Sequence, residues 1–520
     1  MAAVVEPRPA FRLRWRDVWG MSVYVAVILA AVAAVPAQTW DRLGSKLFIS
    51  IGVIGTWRYS WWLLHFARAQ FYARVRFPRL RAASERLWRD GWRPARVHYI
   101  VTTFMERPET TQAVMAAIVD ECRTTGIPTR VYLGTGLPMD EQVARDLLFR
   151  IARTLDFELV IVRQNRPGKR AALGLALRAL SRAGVAHDEP VVFMDGDTIL
   201  LPGFLRRCLP LFEVRRDLDA LTTAEQAIVL GPRWISTWLD MRFAQRHLTM
   251  QSHALAHKVL ALTGRCSVFR GGEVMRDEFI RLVESDNLDD WLWGTIPFLS
   301  GDDKSTWFAL LKKPGGGVML YVPDAMVCTV ENIAGSAWQR MRFNLLRWSG
   351  NAIRNSGRVI ALGPRRIGWF IWWCVLDQRI SMWTGLLGPA AALMNLFWGD
   401  PGLTLVYLAW ICTTRLLLAL PLFAYAGEIR PAFPLFLYLN QLANSLIKGY
   451  LTFRPATQRW LNRGDQRART APSPLGRFRE RMADYVMVVW VTVMGVAMAL
   501  YIGVLRRPTW DTLWNVFHRG

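Results

Sequence analysis

Two short acidic motifs carry the chemistry most plainly: Asp195-Gly196-Asp197 and Gly301-Asp302-Asp303-Lys304. The first follows an apolar run, Val191-Val192-Phe193-Met194. An Asp-x-Asp at the end of a strand puts both carboxylates on one side of the extended chain. The glycine between them allows a close approach of backbone to ligand. Hard oxygen ligands of this kind suit Mg²⁺ or Mn²⁺. Asp195 and Asp197 are therefore the expected metal ligands for a diphosphate-bearing substrate, although an isolated Asp-Gly pair is also an ordinary turn. In Gly301-Asp302-Asp303-Lys304, a carboxylate near the start of a helical run (Ser305–Lys312) stays ionised and can accept a proton. One of the two acids is equally suited to cap that helix. Gly168-Lys169-Arg170 opens another helical pattern, where two cations at a helix N-terminus can grip a diphosphate. The spaced glycines and Ser/Thr of a Walker A motif are absent. Arg347-Trp348 sits in an arginine-rich stretch with Arg342 and Arg354. Tryptophan stacks on sugar rings and arginine holds phosphate or carboxylate in bidentate fashion, while an amphipathic helix at a lipid interface shows the same composition.

Positioning these groups requires strands and helices in alternation. Val97–Thr103, Arg130–Leu133, Glu158–Val162 and Val191–Met194 read as strands. Thr110–Cys122, Asp140–Thr154 and Lys169–Arg182 read as helices. This rhythm predicts a parallel sheet with helices on both faces, in which ligands bind beyond the carboxyl ends of the strands. Thr102-Thr103, Arg163-Gln164 and Asp195-Gly196-Asp197 all fall at such ends.

Around that domain the chain is strongly apolar. It has 520 residues, 52% of them hydrophobic, and a net charge of +24. Gly20–Ala37, Lys46–Ala67, Ser381–Trp398, Leu403–Ala426 and Ala483–Val504 are each about long enough to span a bilayer. Arginines 8, 12, 14 and 16 precede the first span; nine more lie between Arg68 and Arg96, and eight between Arg454 and Arg481. Basic residues packed against span ends mark cytoplasmic loops. They also suit anionic lipid headgroups and an acidic substrate or product. A nucleic-acid binder would carry its charge on the soluble face instead. Counting from a cytoplasmic N-terminus gives five spans and leaves Pro431–Thr452 as an interfacial, amphipathic segment. The six cysteines are scattered without a CxxC pair, which argues against structural disulfides and a zinc site. Arg58 and Arg415 fall within spans, where ionisable residues are functional candidates; one or both are expected to line a channel for a polyanionic chain, the alternative being pairing with another helix through Asp377 or snorkelling.

The chain resembles the processive family-2 glycosyltransferases of the cellulose and hyaluronan synthase type, and within them is most similar to the alginate (mannuronan) synthase catalytic subunits. The segments that carry the likeness are Gly55 to Ser60, Phe243 to His247, Leu262 to Arg265, Ser267 to Arg270, Glu284-Ser285-Asp286, Gly301 to Trp307, Tyr321 to Ala325, Asp377-Gln378-Arg379 and Ser381 to Thr384. The resemblance implies a GT-A fold, inserted between about five spans plus interfacial helices. The parts are 1–67 (two spans), 68–96 (basic linker), 97–335 (GT-A domain), 336–380 (interfacial helices), 381–452 (two spans and the amphipathic segment), 453–482 (basic loop) and 483–520 (last span and periplasmic tail).

It further implies inverting transfer of mannuronate from GDP-mannuronate into a β-1,4-linked chain that crosses the bacterial inner membrane. The alternative is a related membrane polysaccharide synthase that uses another donor, UDP-glucose, UDP-N-acetylglucosamine or GDP-mannose, to make a different β-linked polymer. Asp303 would be the base, with Asp302 and Lys304 beside it. Thr103, Lys169, Arg170, Asp195 and Arg347 would bind donor; Trp348, Gly264 and Arg265 would bind acceptor; Asp195 and Asp197 would hold Mg²⁺ or Mn²⁺. Asn344 stands where the family's Gln-x-x-Arg-Trp element has glutamine. Arg459 and Trp460 lie at the position of a gating loop without its usual signature. Implied partners are membrane lipids, a cyclic-di-GMP-sensing co-polymerase and a periplasmic export complex, and no nucleic acid.

Overall fold

A computed structural model describes residues 14–41, 53–164, 168–333, 335–460, 466–467 and 474–505. Eight strands form one sheet: β1 (Val97–Thr103), β2 (Thr129–Thr135), β3 (Phe157–Arg163), β4 (Pro190–Asp195), β5 (Thr198–Leu200), β6 (Ala220–Leu230), β7 (Cys266–Arg270) and β8 (Met319–Asn332). Their spatial order is β3-β2-β1-β4-β7-β6-β8-β5. The half built by β1 to β4 is parallel, as expected from the alternation of strand and helix. The other half is not. β7 inserts antiparallel between β4 and β6, and β5 runs antiparallel at the edge. The expectation of a parallel sheet is corrected on this point, because the segment after the helix that follows β6 brings the chain back to the carboxyl end of β4, where Cys266 pairs with Met194, so that β7 runs the opposite way. β1 is buried along its whole length and β4 up to Asp195, because helices cover both faces.

The helices that matter to the site are α1 (Trp15–Ala33), α2 (Ile54–Phe71), α3 (Phe77–Arg89), α4 (Pro108–Thr125), α5 (Pro138–Ile151), α6 (Lys169–Arg182), α7 (Arg233–Ala254), α8 (Asp302–Leu311), α9 (Ala337–Ala361), α10 (Trp369–Trp398), α11 (Pro401–Ala426), α12 (Phe433–Phe453) and α13 (Pro474–Ile502). Four of them, α1, α10, α11 and α13, are long and apolar enough to cross a membrane. Their outward residues, among them Val27, Leu29, Phe397, Trp398 and Val491, are exposed and apolar, which suits contact with lipid rather than water. The protein is thus a membrane protein with its α/β domain flanked by apolar helices.

Of the expected span Lys46–Ala67, residues 46–52 lie outside the described residues. The rest is α2, which runs through a π-helical turn, Tyr72–Arg76, into the basic α3. Residues 461–465 and 468–473 of the expected basic loop, the early arginines 8 and 12, and the tail from 506 on also lie outside the described residues. α12, expected to be interfacial, packs against α9, α10 and α11. Its polar residues Asn440, Gln441, Asn444 and Lys448 line a cavity between these helices, which accounts for its amphipathic pattern.

α7 joins the two halves of the molecule. Ile235, Trp238, Leu239 and Phe243 pack with Ala419, Leu422, Phe423 and Leu437 of the apolar bundle, and the same helix contacts β6 and β8. Burying such side chains is worth about 1.5–3 kcal/mol each, so the sheet and the membrane helices share one rigid seam.

Candidate active site

The carboxyl end of β4 carries Asp195, and the next residue explains the glycine. The Gly196 amide donates to the Thr102 carbonyl at 2.8 Å, and a Cβ at 196 would stand 2.7 Å from that oxygen. Only glycine lets the Asp195–Asp197 turn lie flat against β1. On the facing side, α8 begins at Asp302, not at Ser305 as its pattern suggests. Gly301 enters the helix with φ of +89°, so both acids fall in the first turn, where the helix dipole favours negative charge.

Lys169 closes the site. Its Nζ lies 2.6 Å from Asp195 Oδ1 and 2.7 Å from Asp302 Oδ2. Gly264 packs against this bridge: a Cβ there would sit 2.9 Å from Nζ. Lys169, Gly264, Asp302, Asp303 and Thr306 line one narrow crevice. The electrostatics sort the carboxylates. Burial disfavours the Lys169 ammonium, yet Asp195 and Asp302 together lift it above the usual lysine value. Burial alone would raise the Asp302 carboxyl, but Lys169 outweighs it and holds it below the ordinary carboxylate range. Asp303, one residue on, is pushed up by burial and then by the Asp302 charge. Two neighbouring acids are thus driven apart, one fixed as an anion and one tuned toward accepting a proton. Lys304 is lowered by burial and donates to the Leu260 carbonyl at 2.6 Å.

Several expected roles are relocated. Arg170 points away from the crevice. Buried, it donates to the carbonyls of Leu282, Val283 and Ser300 and to Ser305 Oγ, clamping the segment ahead of α8 rather than gripping a diphosphate. Arg265 is held between Glu225 at 3.3 Å and Glu331 at 3.2 Å, while its backbone carbonyl receives the Asp195 amide. It supports the Asp195 turn instead of reaching for an acceptor. Trp348 stacks on Trp238 with centroids 6.0 Å apart, and Arg242 lies over its ring at 4.6 Å. Thr103 is buried and donates to Asp140 at 3.3 Å. Arg347 faces a separate cavity of about 450 Å³ with Ser300, Arg342, Arg354, Tyr450 and Gln458. Arg459-Trp460 forms a two-residue strand with Gln466-Arg467. Just before it, Gln458 is hydrogen-bonded to the Pro297 carbonyl and the Leu299 amide, which ties this loop to the approach of Gly301.

Sequence reasoning missed Asp140, Glu141, Glu225 and Glu331. Asp140 and Glu141 share the first turn of α5, where Glu141 takes a bidentate pair from Arg163. Their signal was two acids directly after Pro138-Met139. For Glu225 it was the one charged residue inside a buried strand.

Beneath α7 a cavity of about 1090 Å³ opens among the membrane helices. Arg58, Arg242, Arg246, Arg415 and Lys448 line it, with Gln245, Asn440, Gln441, Asn444 and Ser445 between them. Both arginines expected within spans are here. Arg58 pairs with Asp377 at 2.8 Å and donates to Thr384; Arg415 donates to Gln441 at 2.5 Å. Arg246 links cavity and crevice, since its charge helps to lower Lys304.

Residues 94–351 match the model described as glycosyltransferase like family 2. Two relatives are both named Glycosyltransferase alg8. The one from Pseudomonas syringae pv. tomato (strain ATCC BAA-871 / DC3000) is 36% identical over 460 residues, covering 88% of this chain and 93% of the relative. The one from Azotobacter vinelandii is 37% identical over 445 residues, covering 85% and 89%. Among solved structures, the mannosyltransferase PcManGT from Pyrobaculum calidifontis, in complex with GDP-Man and Mn²⁺, aligns with a TM-score of 0.42 and 14% identity over 73% of this chain and 99% of that one.

Proposed function

The chain belongs to the alg8 glycosyltransferases of family 2, and from that premise we propose that it polymerises mannuronate from GDP-mannuronate and passes the growing chain through its membrane helices. The observation that carries this reading is the cavity below α7, lined by five cations and by amide and hydroxyl side chains. Hydroxyl and amide groups suit any sugar, but a surplus of arginine suits a chain with one carboxylate per residue.

In the proposed reaction the donor lies over the carboxyl ends of β1, β3 and β4, with its diphosphate at Lys169. Donor phosphate replaces one of the carboxylates that Lys169 now holds. Asp195 and Asp197 offer the hard oxygen donors that fit Mg²⁺ or Mn²⁺; such an ion would neutralise the leaving diphosphate. Asp303 takes the proton of the acceptor hydroxyl as that oxygen attacks the anomeric carbon from the face opposite GDP, which inverts the centre. Asp302 stays ionised against Lys169 and keeps Asp303 basic. The GT-A domain occupies 97–335, on the cytoplasmic side of a bacterial inner membrane, as the arginine clusters at span ends favour. A cyclic-di-GMP-sensing co-polymerase, a periplasmic export complex and surrounding lipids complete the working unit in this reading.

The test is translocation in proteoliposomes. Arg58→Leu combined with Arg415→Leu should cut polymer reaching the opposite side at least tenfold, while GDP release continues for a short chain. Unchanged export from the double variant would overturn the channel assignment.

A further inference from the structure

Three buried side chains that the glycosyl transfer does not use come together where α2, α7 and α10 meet: His65, His253 and Cys374. One ligand atom of each lies within 4.8 Å of the other two. Their exposures are 8%, 5% and 2%. We propose that this cluster binds a soft, thiophilic metal ion, with Cu⁺ the species that charge balance favours.

Metal–nitrogen distances of about 2.0 Å and metal–sulfur distances of about 2.3 Å put the ligand atoms of a trigonal site roughly 3.5–3.8 Å apart. His65 Nε2 already stands 3.9 Å from Cys374 Sγ, too long for a strong hydrogen bond and close to that spacing. The other ring nitrogen of His65 meets Ser252 Oγ at 2.9 Å. With Nδ1 donating to that hydroxyl, Nε2 offers its lone pair, the usual arrangement behind a ligating histidine. His253 supplies the independent sign. Its Nδ1 is buried and has no hydrogen-bond partner, an arrangement that native interiors avoid unless a ligand completes it. The His65 and His253 rings stand edge to face, 5.3 Å apart.

Charge decides between ions. Arg68 closes one side, stacked 3.6 Å from Phe370 and bonded to the Ser252 carbonyl. On binding, the Cys374 thiol releases its proton to solvent. A thiolate with Cu⁺ is then neutral, whereas with Zn²⁺ it leaves a net positive charge beside Arg68 in a low-dielectric pocket. Two imidazoles and one thiolate also suit the softer ion. Bound metal would staple two membrane-region helices to α7, the helix that carries Arg242 and Arg246 into the large cavity.

The experiment uses the purified full chain in detergent, incubated anaerobically with Cu⁺ or Zn²⁺, stripped of loosely held metal by a chelator, and assayed for metal content and thermal unfolding. The expected result is one Cu⁺ per chain with a raised melting temperature. Content should fall at least tenfold in Cys374→Ser and in His253→Gln, and stay intact in Cys412→Ser, a thiol outside the cluster. X-ray absorption should show mixed nitrogen and sulfur ligation. Equal copper in wild type and Cys374→Ser, no copper in a folded wild type, or displacement of Cu⁺ by equimolar Zn²⁺ would each overturn the proposal. Should Cys374→Ser fail to fold, His253→Gln carries the same comparison.

Discussion

Replacing Lys169 with methionine removes the one ammonium that bridges Asp195 and Asp302. The two contacts are 2.6 and 2.7 Å long, and the lysine side chain is only 10% exposed. Taking one partner from a buried ion pair costs about 3–5 kcal/mol, because the remaining charge is stranded. A ceiling follows from titration: protonating one ordinary carboxylate at pH 7.5 costs roughly 5 kcal/mol at 1.36 kcal/mol per unit. On a scale of 2–4 °C per kcal/mol for a domain of this size, Lys169→Met should lower the melting temperature by about 6–20 °C. The sign with pH is set by Asp302, whose pKa is depressed in the fold. Its contribution is present above the unfolded carboxylate value, about 4, and is lost as pH falls through the lower folded value. Lys169 is raised, so its own share persists below the free lysine value and is lost only at strongly alkaline pH. Without Lys169 the burial of Asp302 is no longer offset, so its carboxyl takes up a proton at higher pH in the variant, and the gap should narrow steadily as pH falls from about 7 toward about 4. The assay is tryptophan-monitored unfolding of the detergent-purified protein across pH, with and without Mn²⁺, which should stabilise the variant more than the wild type. A variant that melts within about 2 °C of wild type at pH 7, or a gap that does not narrow in acid, would refute the reasoning.

Other outcomes follow from the same geometry. Asp303→Asn should reduce turnover by about 10²–10⁴-fold yet raise the melting temperature at pH 7, because a carboxyl whose pKa is raised in the fold burdens the native state once ionised; the acid limb of the wild-type rate profile should lie above the ordinary carboxylate range. Arg170→Ala should destabilise the protein by at least about 3 kcal/mol, since four acceptors lose a buried cationic donor; equilibrium unfolding checks this, and Arg170→Lys should not restore it. Gly196→Ala should abolish Mn²⁺ binding measured by electron paramagnetic resonance, as the added Cβ would drive the Asp195–Asp197 turn off Thr102.

How much of this was legible beforehand depended on what each residue answers to. β1 and α6 fall at the expected bounds, because a run rich in β-branched and aromatic residues and a glycine-led basic helix start are local signals. The DGD and GDDK motifs and the pairing of Arg58 with Asp377 were also visible as residue types. The antiparallel β7 was not, since a short strand's direction is set by the route of the chain and not by its side chains. Arg170 was misread for a related reason: adjacent cations at a helix start look alike in sequence, yet helical geometry turns Lys169 into the crevice and Arg170 into the core. The acceptor role of Arg265 was implied by the resemblance alone, and its carboxylate partners, Glu225 and Glu331, could not be foreseen because they lie on strands far apart in the chain. His65, His253 and Cys374 are scattered across three helices and show no spacing at all.

The most direct measurement is GDP or UDP release, with polymer formation, by the reconstituted protein presented in turn with GDP-mannuronate, GDP-mannose, UDP-glucose and UDP-N-acetylglucosamine, in Mg²⁺ or Mn²⁺, with a cyclic-di-GMP-sensing partner present. Release and a polyuronate product with GDP-mannuronate alone, lost in Asp303→Asn, is the predicted result. Comparable turnover with a neutral sugar donor, or turnover that survives Asp303→Asn, would contradict it.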